Sequence, residues 1–124
     1  MPQIFVIVAP GTEKRLQKDA LGYFEKSIAK ATEKLFGIEG ENDVAITRVN
    51  AIKTANEADI QVEVRYTAGK DEYNRGEPFD PPIEKIKELA SLIISLARVG
   101  WIEDDIDISA WVKPIYGSAF KTTL

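Results

Sequence analysis

The apolar run IFVIVA at residues 4–9 is the feature that most constrains what this chain can fold into. The run is rich in β-branched residues and has no polar alternation, which is typical of a β-strand buried on both faces. We therefore predict a strand over residues 3–9, which Pro10 and Gly11 end. Pro2 lacks a backbone N–H and suits the first position of a strand. A fold built around this strand has to cover both faces of its sheet.

The rest of the chain supplies two helices and three more strands. Apolar residues at spacings of three and four predict the helices, and alternation predicts the third and fourth strands. The predicted elements are a helix from its N-cap Thr12 to Gly37, a strand from Val44 to Ile52, a strand over 59–67, a loop over 68–82, a helix that starts at Asp80 and stops at Gly100, and a strand from Ile106 to Lys113. The order is therefore β-α-β followed by β-α-β.

This order predicts an α+β fold in which two consecutive β-α-β units form a four-stranded mixed sheet with two helices on one face. With 124 residues, 44% of them hydrophobic, the chain suits a single domain over residues 1–124. Two helices cover only one face of the sheet, although the first strand is apolar on both. We expect another subunit to cover the second face, so the sequence predicts an oligomer.

The same order also fits a ferredoxin-like sheet, which would serve as a non-catalytic binding or assembly module. The short link TANEA at residues 54–58 suits the hairpin that such a sheet places between its second and third strands. The two folds differ in which strand lies beside the first strand. If the second strand pairs with the first, the hairpin between the second and third strands is excluded.

Composition argues against several classes of function. The net charge of −4, with both signs mixed along the chain, offers no basic stripe for nucleic acid. No apolar run approaches the roughly 20 residues that span a bilayer, so we expect no membrane partner and a cytoplasmic location. Cysteine is absent, which excludes disulfides and thiolate chemistry. The acidic run EDDID at 103–107 lacks the spacing of a calcium loop, and we expect no metal and no cofactor.

The chain also contains no histidine. Histidine is the side chain whose ordinary pKa lies nearest neutrality, and its absence excludes Ser/His/Asp and Cys/His nucleophilic sites. A proton-transfer site at pH 7 must then use a carboxylate or lysine with a shifted pKa, a tyrosine, or the amino terminus of the chain.

The β-α-β-β-α-β order, Pro2 at the start of the first strand, and the segments SIAKATEK and YTAGK resemble the tautomerase superfamily, which includes 4-oxalocrotonate tautomerase, 5-carboxymethyl-2-hydroxymuconate isomerase and macrophage migration inhibitory factor. The resemblance implies a homotrimer and a cofactor-independent tautomerase or isomerase. In that family Met1 is removed and the secondary amine of the proline, here Pro2, is the general base and acid. The implied reaction is a 1,3-proton transfer on a small 2-oxo or unsaturated carboxylate.

The physical argument for Pro2 depends on its nitrogen. An α-amino group has a reference pKa near 8, and an apolar site containing other cations lowers that pKa toward neutrality. A proline nitrogen acylated by Met1 is an amide with no basic lone pair. Removal of Met1 therefore decides between a catalyst and an inactive trimer of the same fold. The alternative interpretation of Pro2 is a strand start with no chemical role.

Four further residues are candidates for substrate binding, and each has a structural alternative. Lys34 matches a family lysine of the active site, but also suits a cation at a helix C-terminus. Arg48 is in the second strand, where related enzymes bind a substrate carboxylate with an arginine, and could equally form a structural salt bridge. Arg65 can hold substrate charge or pair with Glu63 on its own strand. Trp111 can supply an apolar wall or pack at a subunit interface.

Overall fold

The computed structural model describes residues 2–37, 44–51, 58–67, 69–70, 78–79, 83–99 and 102–115. The elements in these ranges are β1 (Gln3–Val8), α1 (Thr12–Arg15), α2 (Ala20–Phe36), β2 (Ala45–Asn50), β3 (Ile60–Thr67), β4 (Gly69–Lys70), β5 (Pro78–Phe79), α3 (Ile83–Arg98) and β6 (Ile108–Ile115). The predicted succession of two β-α-β units is confirmed, with strand boundaries that differ by one or two residues.

The main sheet has four strands in the order β2-β1-β3-β6. β1 pairs with β2 in parallel and with β3 in antiparallel orientation, and β6 is parallel to β3. The sheet is therefore mixed, and β2 and β3 lie on opposite sides of β1. This arrangement confirms the predicted α+β fold and excludes the hairpin of the ferredoxin-like alternative.

The hydrophobic core lies between one face of the sheet and the two long helices. Alternate residues of β1, beginning with Ile4, are buried together with alternate residues of β3. Phe24 and Ile28 of α2, and Ile93 of α3, are fully buried in the same cluster. Burial of each such side chain contributes about 1.5–3 kcal/mol relative to its exposure. Both long helices thus lie on one face, as the sequence predicts.

The first predicted helix is divided in two. The sequence predicts one helix capped by Thr12, but Gly11 precedes α1 with φ 81° and Thr12 is its first residue. Leu16 adopts an extended conformation, and α2 begins only after Asp19, whose φ is 64°. Leu16, the extended residue at this break, packs against the core.

The predicted loop over residues 68–82 contains regular structure. β4 and β5 pair in antiparallel orientation as a separate two-stranded sheet. The predicted helix start at Asp80 lies outside the described residues. In the described part of the chain, no helix is long and apolar enough to cross a bilayer.

The second face of the main sheet has no helix on it among the described elements. Phe5 and Ile7 on this face of β1 are only half-buried, and Trp111 of β6 is 52% exposed. Within one chain, the first strand is therefore fully buried on one face only. We call this second face the open face, with Phe5, Ile7, Glu63, Arg65, Trp111 and Lys113 as its central residues.

A charged cluster occupies the centre of the open face. The Glu63 side chain is only 8% exposed, and its Oε2 accepts a hydrogen bond of 2.8 Å from Nη2 of Arg65. Its Oε1 accepts from Nζ of Lys113 at 3.3 Å and from Nε2 of Gln61 at 3.1 Å. These bonds, foremost those from Arg65, lower the pKa of Glu63 below its usual value despite its burial.

Glu63 should make stability depend on pH. Because its pKa is lower in the folded chain, its contribution is complete above its unfolded pKa near 4.5 and is lost as pH falls through the folded value. We expect Glu63→Gln to reduce the free energy of unfolding by about 1–3 kcal/mol at pH 7. The difference from wild type should shrink below pH 4.5, as measured by urea denaturation at several pH values.

The matched control is Glu88→Gln, because Glu88 is an exposed glutamate on α3. Its effect should stay below about 0.5 kcal/mol throughout the pH range. A Glu63→Gln effect that is the same at pH 3 and pH 7 would show that the ionised carboxylate does not stabilise the fold.

Candidate active site

Five element ends meet at the end of the sheet that carries Pro2. β1 and β2 start there, and β3 and β6 end there, because β3 is antiparallel to β1 and β6 is parallel to β3. The C-terminal end of α2 also reaches this end, since the ring of Phe36 lies 5.5 Å from the ring of Tyr66 near the end of β3. Two strand starts, two strand ends and one helix end therefore converge at this end of the sheet.

Pro2 lies in a buried position at this junction. The terminal pair of β1 and β3 joins Gln3 to Arg65, so continuing the antiparallel register by one residue places Tyr66 across from Pro2. Pro2 and Tyr66 lie two residues from Ile4 and Val64, so they share the helix-covered face with them, and both are buried. Directly opposed residues of an antiparallel pair have Cβ atoms about 4.5–5.5 Å apart. The register thus places an aromatic residue across from Pro2, and Met1 lies outside the described residues.

Lys34 lies in the last turn of α2, two residues before Phe36. The helix ends at Gly37, whose φ is 65° and whose N–H donates to the carbonyls of Glu33 and Lys34, as expected for a glycine C′ residue. Lys34 is exposed on the end of the helix that approaches Pro2. Its position suits both roles considered from the sequence, a cation beside the site and a cation at a helix C-terminus.

Arg65 lies beside Gln3 on the open face, next to the end of the sheet. Its Nε and Nη2 donate to Glu63, and the guanidinium carbon lies 4.4 Å from the centre of the Phe5 ring. The ion pair with Glu63 that the sequence suggested is therefore present. The Arg65 side chain remains 41% exposed, so its binding of a substrate anion stays a prediction.

Arg48 lies farther along the sheet. It pairs with Val6, four residues from Pro2, which corresponds to about 13 Å along β1. Its Nε donates to Glu25 at 3.0 Å and its Nη1 to Glu13 at 3.4 Å. The bond to Glu25, more than any other contact, raises the pKa of Arg48. The structure thus gives Arg48 the salt bridges of the structural interpretation, and its binding of substrate stays a prediction.

Trp111 projects from the open face of β6, opposite Glu63 of β3. Its ring lies 5.3 Å from Nζ of Lys113, which places a cation over its aromatic face. In a single chain Trp111 is exposed and separated from Pro2 by β3 and by the thickness of the sheet. A role as an apolar wall beside Pro2 of the same chain is not evident from this position, whereas contact with a second chain is sterically open.

Sequence reasoning did not select Tyr66 and Phe36, whose rings are in contact at this end of the sheet. The alternation of DIQVEVRYT does place Tyr66 on the buried face, but only the register between β1 and β3 reveals its opposition to Pro2. A shallow pocket lined by Val8, Gly11 and Asn50, among others, lies at the other end of β1.

No protein-family model and no curated protein matches this chain. Solved structures do match its fold. A fused 4-OT symmetric trimer is 14% identical, with a TM-score of 0.60 over 91% of this chain and 85% of that one. A protein of unknown function from Vibrio cholerae O1 biovar eltor is 13% identical, with a TM-score of 0.60 over 98% and 83%.

A malonate semialdehyde decarboxylase, FG41, in a structure inhibited by 3-bromopropiolate, is 10% identical, with a TM-score of 0.56 over 100% of this chain and 89% of that one. The 4-OT and decarboxylase structures are members of the tautomerase superfamily. At such low identities the likeness concerns the fold. The β2-β1-β3-β6 sheet, the two helices on one face and these neighbours together show that the chain has the tautomerase fold.

Proposed function

We propose that this protein is a cofactor-independent tautomerase or isomerase that uses Pro2 as general base and general acid. The observation that carries the proposal is the buried position of Pro2 at the junction of β1, β3 and α2, within a tautomerase fold. The absence of histidine from the chain supports it, because few other groups are poised to exchange protons near pH 7. The proposed substrates are small 2-oxo acids and related unsaturated carboxylates.

The proposed reaction moves one proton between two atoms of the substrate. The Pro2 amine, freed by loss of Met1, accepts a proton from the carbon next to the substrate carbonyl, and the C–H electron pair forms the enolate. The resulting ammonium then gives a proton to the other end of the conjugated system. Lys34 holds the substrate carboxylate, and a nearby cation stabilises the negative oxygen of the enolate. No atom is gained or lost in the overall reaction.

We further propose that the protein acts as a homotrimer in which the open face meets other copies. The open face carries three large apolar side chains that are half-buried or exposed, Phe5, Ile7 and Trp111. An apolar patch of this kind is typical of a surface that contacts another protein. Fused 4-OT, which matches this fold, is a symmetric trimer. The three sites would lie near subunit boundaries, where Arg65 and Trp111 of one chain can approach a site of another.

Loss of the free Pro2 amine should abolish most activity. Protein that retains Met1 should lose at least about 10²-fold in kcat/KM, because its Pro2 nitrogen is an amide, and Pro2→Ala should lose about 10²-fold. The measurement is an enol–ketone assay with phenylpyruvate-like and hydroxymuconate-like substrates, combined with the intact mass of each sample. The matched control is Pro10→Ala, because Pro10 is an exposed proline at the other end of β1.

Two results would contradict the catalytic proposal. One is full activity in protein that carries Met1 on every molecule. The other is no turnover, on either substrate class, by protein whose mass shows a free Pro2 amine. The second result favours the alternative, a non-catalytic oligomeric module of the same fold.

Replacement of Lys34 should weaken substrate binding more than turnover. We expect Lys34→Gln to raise KM for a carboxylate substrate about tenfold, because it removes one charge-assisted hydrogen bond worth about 1.5–3 kcal/mol. Lys30→Gln is the control, since Lys30 is exposed one helical turn earlier on α2. Equal effects of the two substitutions would indicate a general loss of positive charge and not a contact with the substrate.

The proposed trimer can be tested at Trp111. Trp111→Glu places a charge on the open face and should lower the mass measured by analytical ultracentrifugation from that of a trimer to that of a monomer. Tyr23→Glu is the control, because Tyr23 is 47% exposed on α2, away from the open face. A Trp111→Glu protein that remains trimeric would place the subunit contact on another surface.

A further inference from the structure

We infer that Lys113 of one copy pairs with Asp107 of the next copy, so that the copies of the proposed trimer join head to tail along the open face. This pairing rests on the proposed homotrimer, and it goes further by naming which part of the open face meets which part of the neighbouring copy. The observation behind it is the separation of positive and negative charge along β3 and β6.

The charged side chains of the open face lie on its β3 and β6 half. On the other half, the register between β1 and β2 brings together uncharged residues, namely Gln3, Phe5, Ile7, Ala45, Thr47 and Val49. On β3 and β6 the two signs of charge are concentrated at opposite ends of the strands. The open face is therefore electrically polar along its strands.

The positive end lies at the end of the sheet that carries Pro2. Arg65 of β3 and Lys113 of β6 are paired directly in register, and like charges that face each other across two strands repel. Glu63 accepts hydrogen bonds from both, at 2.8 Å and 3.3 Å, but it supplies one negative charge for two positive ones. The Lys113 side chain is 48% exposed. The open-face side chains of β3 and β6 thus keep a surplus positive charge here.

The negative end lies where β3 and β6 begin. The backbone N–H of Asp107 donates to Oδ2 of Asp59 at 3.0 Å, and Nη1 of Arg15 lies 3.4 Å from the same oxygen. Ile108 packs against the core, so alternation puts Asp107 on the open-face side. Asp107 is exposed, and within the described ranges its carboxylate forms no ion pair. A surplus negative charge therefore remains at this end.

These two surplus charges cannot neutralise each other within one chain. Asp107 and Lys113 are six residues apart along β6, which corresponds to about 20 Å. Between copies they attract, whereas a contact that joins equal ends would oppose like charges. In a closed ring each copy uses two different patches, so its positive end can meet one neighbour and its negative end the other. Trp111 lies between the two ends on β6, where overlap of neighbouring open faces can cover it.

Exchange of the two charges tests the pairing. Each single reversal, Asp107→Lys or Lys113→Glu, opposes like charges at every contact and should raise the concentration at which half of the trimer dissociates by at least about tenfold. The exchanged variant Asp107→Lys/Lys113→Glu should return to within about threefold of wild type. The measurement is analytical ultracentrifugation over a concentration series.

A matched control separates this rescue from a simple return to the original net charge. Asp107→Lys combined with Lys30→Glu has the net charge of the exchanged variant, but Lys30 is an exposed residue of α2, away from the open face. This control should stay as weakly associated as Asp107→Lys alone. Equal rescue by the two double variants would overturn the pairing, as would no rescue by the exchanged variant.

A mixture of the two single variants separates a ring of three from a face-to-face dimer. In a two-fold pair with one copy of each variant, both contacts join opposite charges. A ring of three cannot alternate two kinds of copy, so at least one contact still opposes like charges. We expect the mixture to dissociate at a concentration at least about threefold higher than the exchanged variant. Association of the mixture as tight as that of wild type would overturn the head-to-tail arrangement.

Neutral variants cover the case in which Lys113→Glu, beside Glu63, does not fold. Asp107→Asn and Lys113→Gln should each raise the dissociation midpoint about threefold. The double variant should also show about threefold, because a broken pair cannot be broken a second time. Effects that multiply to about ninefold would show that the two residues act independently and would overturn the pairing.

The pairing and the proposals on which it rests fail in different ways. A wild-type trimer that the exchanged variant does not restore contradicts the pairing alone. A wild-type protein that stays monomeric at every concentration contradicts the trimer and the pairing together. Rescue in a trimer that has a free Pro2 amine but no turnover supports the pairing and contradicts the catalytic proposal.

Discussion

The antiparallel pairing of β1 with β3 is the contact on which the rest of the structure depends. It joins the two β-α-β units into one sheet and puts β1 at its interior, with β2 on the other side. The register also sets which residues meet at the end of the sheet, because it pairs Arg65 with Gln3 and, continued by one residue, places Tyr66 across from Pro2. A shift of one residue would exchange the buried and open faces of β3 and separate the aromatic ring from the proline.

The charged groups of the open face are paired with one another, which reduces the free-energy cost of burying them. Glu63 is buried among Arg65, Lys113 and Gln61, and it accepts hydrogen bonds from all three. Each of the two cations also lies over an aromatic ring, so the charges and the apolar groups of the face are interleaved. The Glu63 carboxylate already has hydrogen-bond partners within its own chain, so another subunit can cover it without leaving an unpaired buried charge. A glutamate without such partners would become an unpaired buried charge on the same face.

Hydrophobic periodicity predicted the fold well, because burial of one face leaves a direct pattern in each element. The four strands of the main sheet and the two long helices were predictable in this way. The end of α2 was predictable from its glycine. The break at Leu16 was not, since it depends on Asp19 adopting a left-handed conformation that its residue type does not require. The site was only partly predictable. Pro2 stands out in the sequence, but Tyr66 becomes its neighbour through strand pairing between residues 64 positions apart, which no local pattern encodes.

The residues that stabilise this fold are different from the group that would carry the proposed chemistry. The core between the helices and the sheet is formed by side chains such as Ile4, Phe24 and Ile93, and none of them involves the Pro2 nitrogen. While Met1 is attached, the Pro2 nitrogen carries no hydrogen and donates no backbone hydrogen bond to the sheet. Cleavage of the Met1–Pro2 bond therefore changes the nitrogen from an amide to a basic amine without removing a hydrogen bond that this nitrogen donates. A fold that starts its central strand with proline can acquire or lose a general base at this position with little effect on its core.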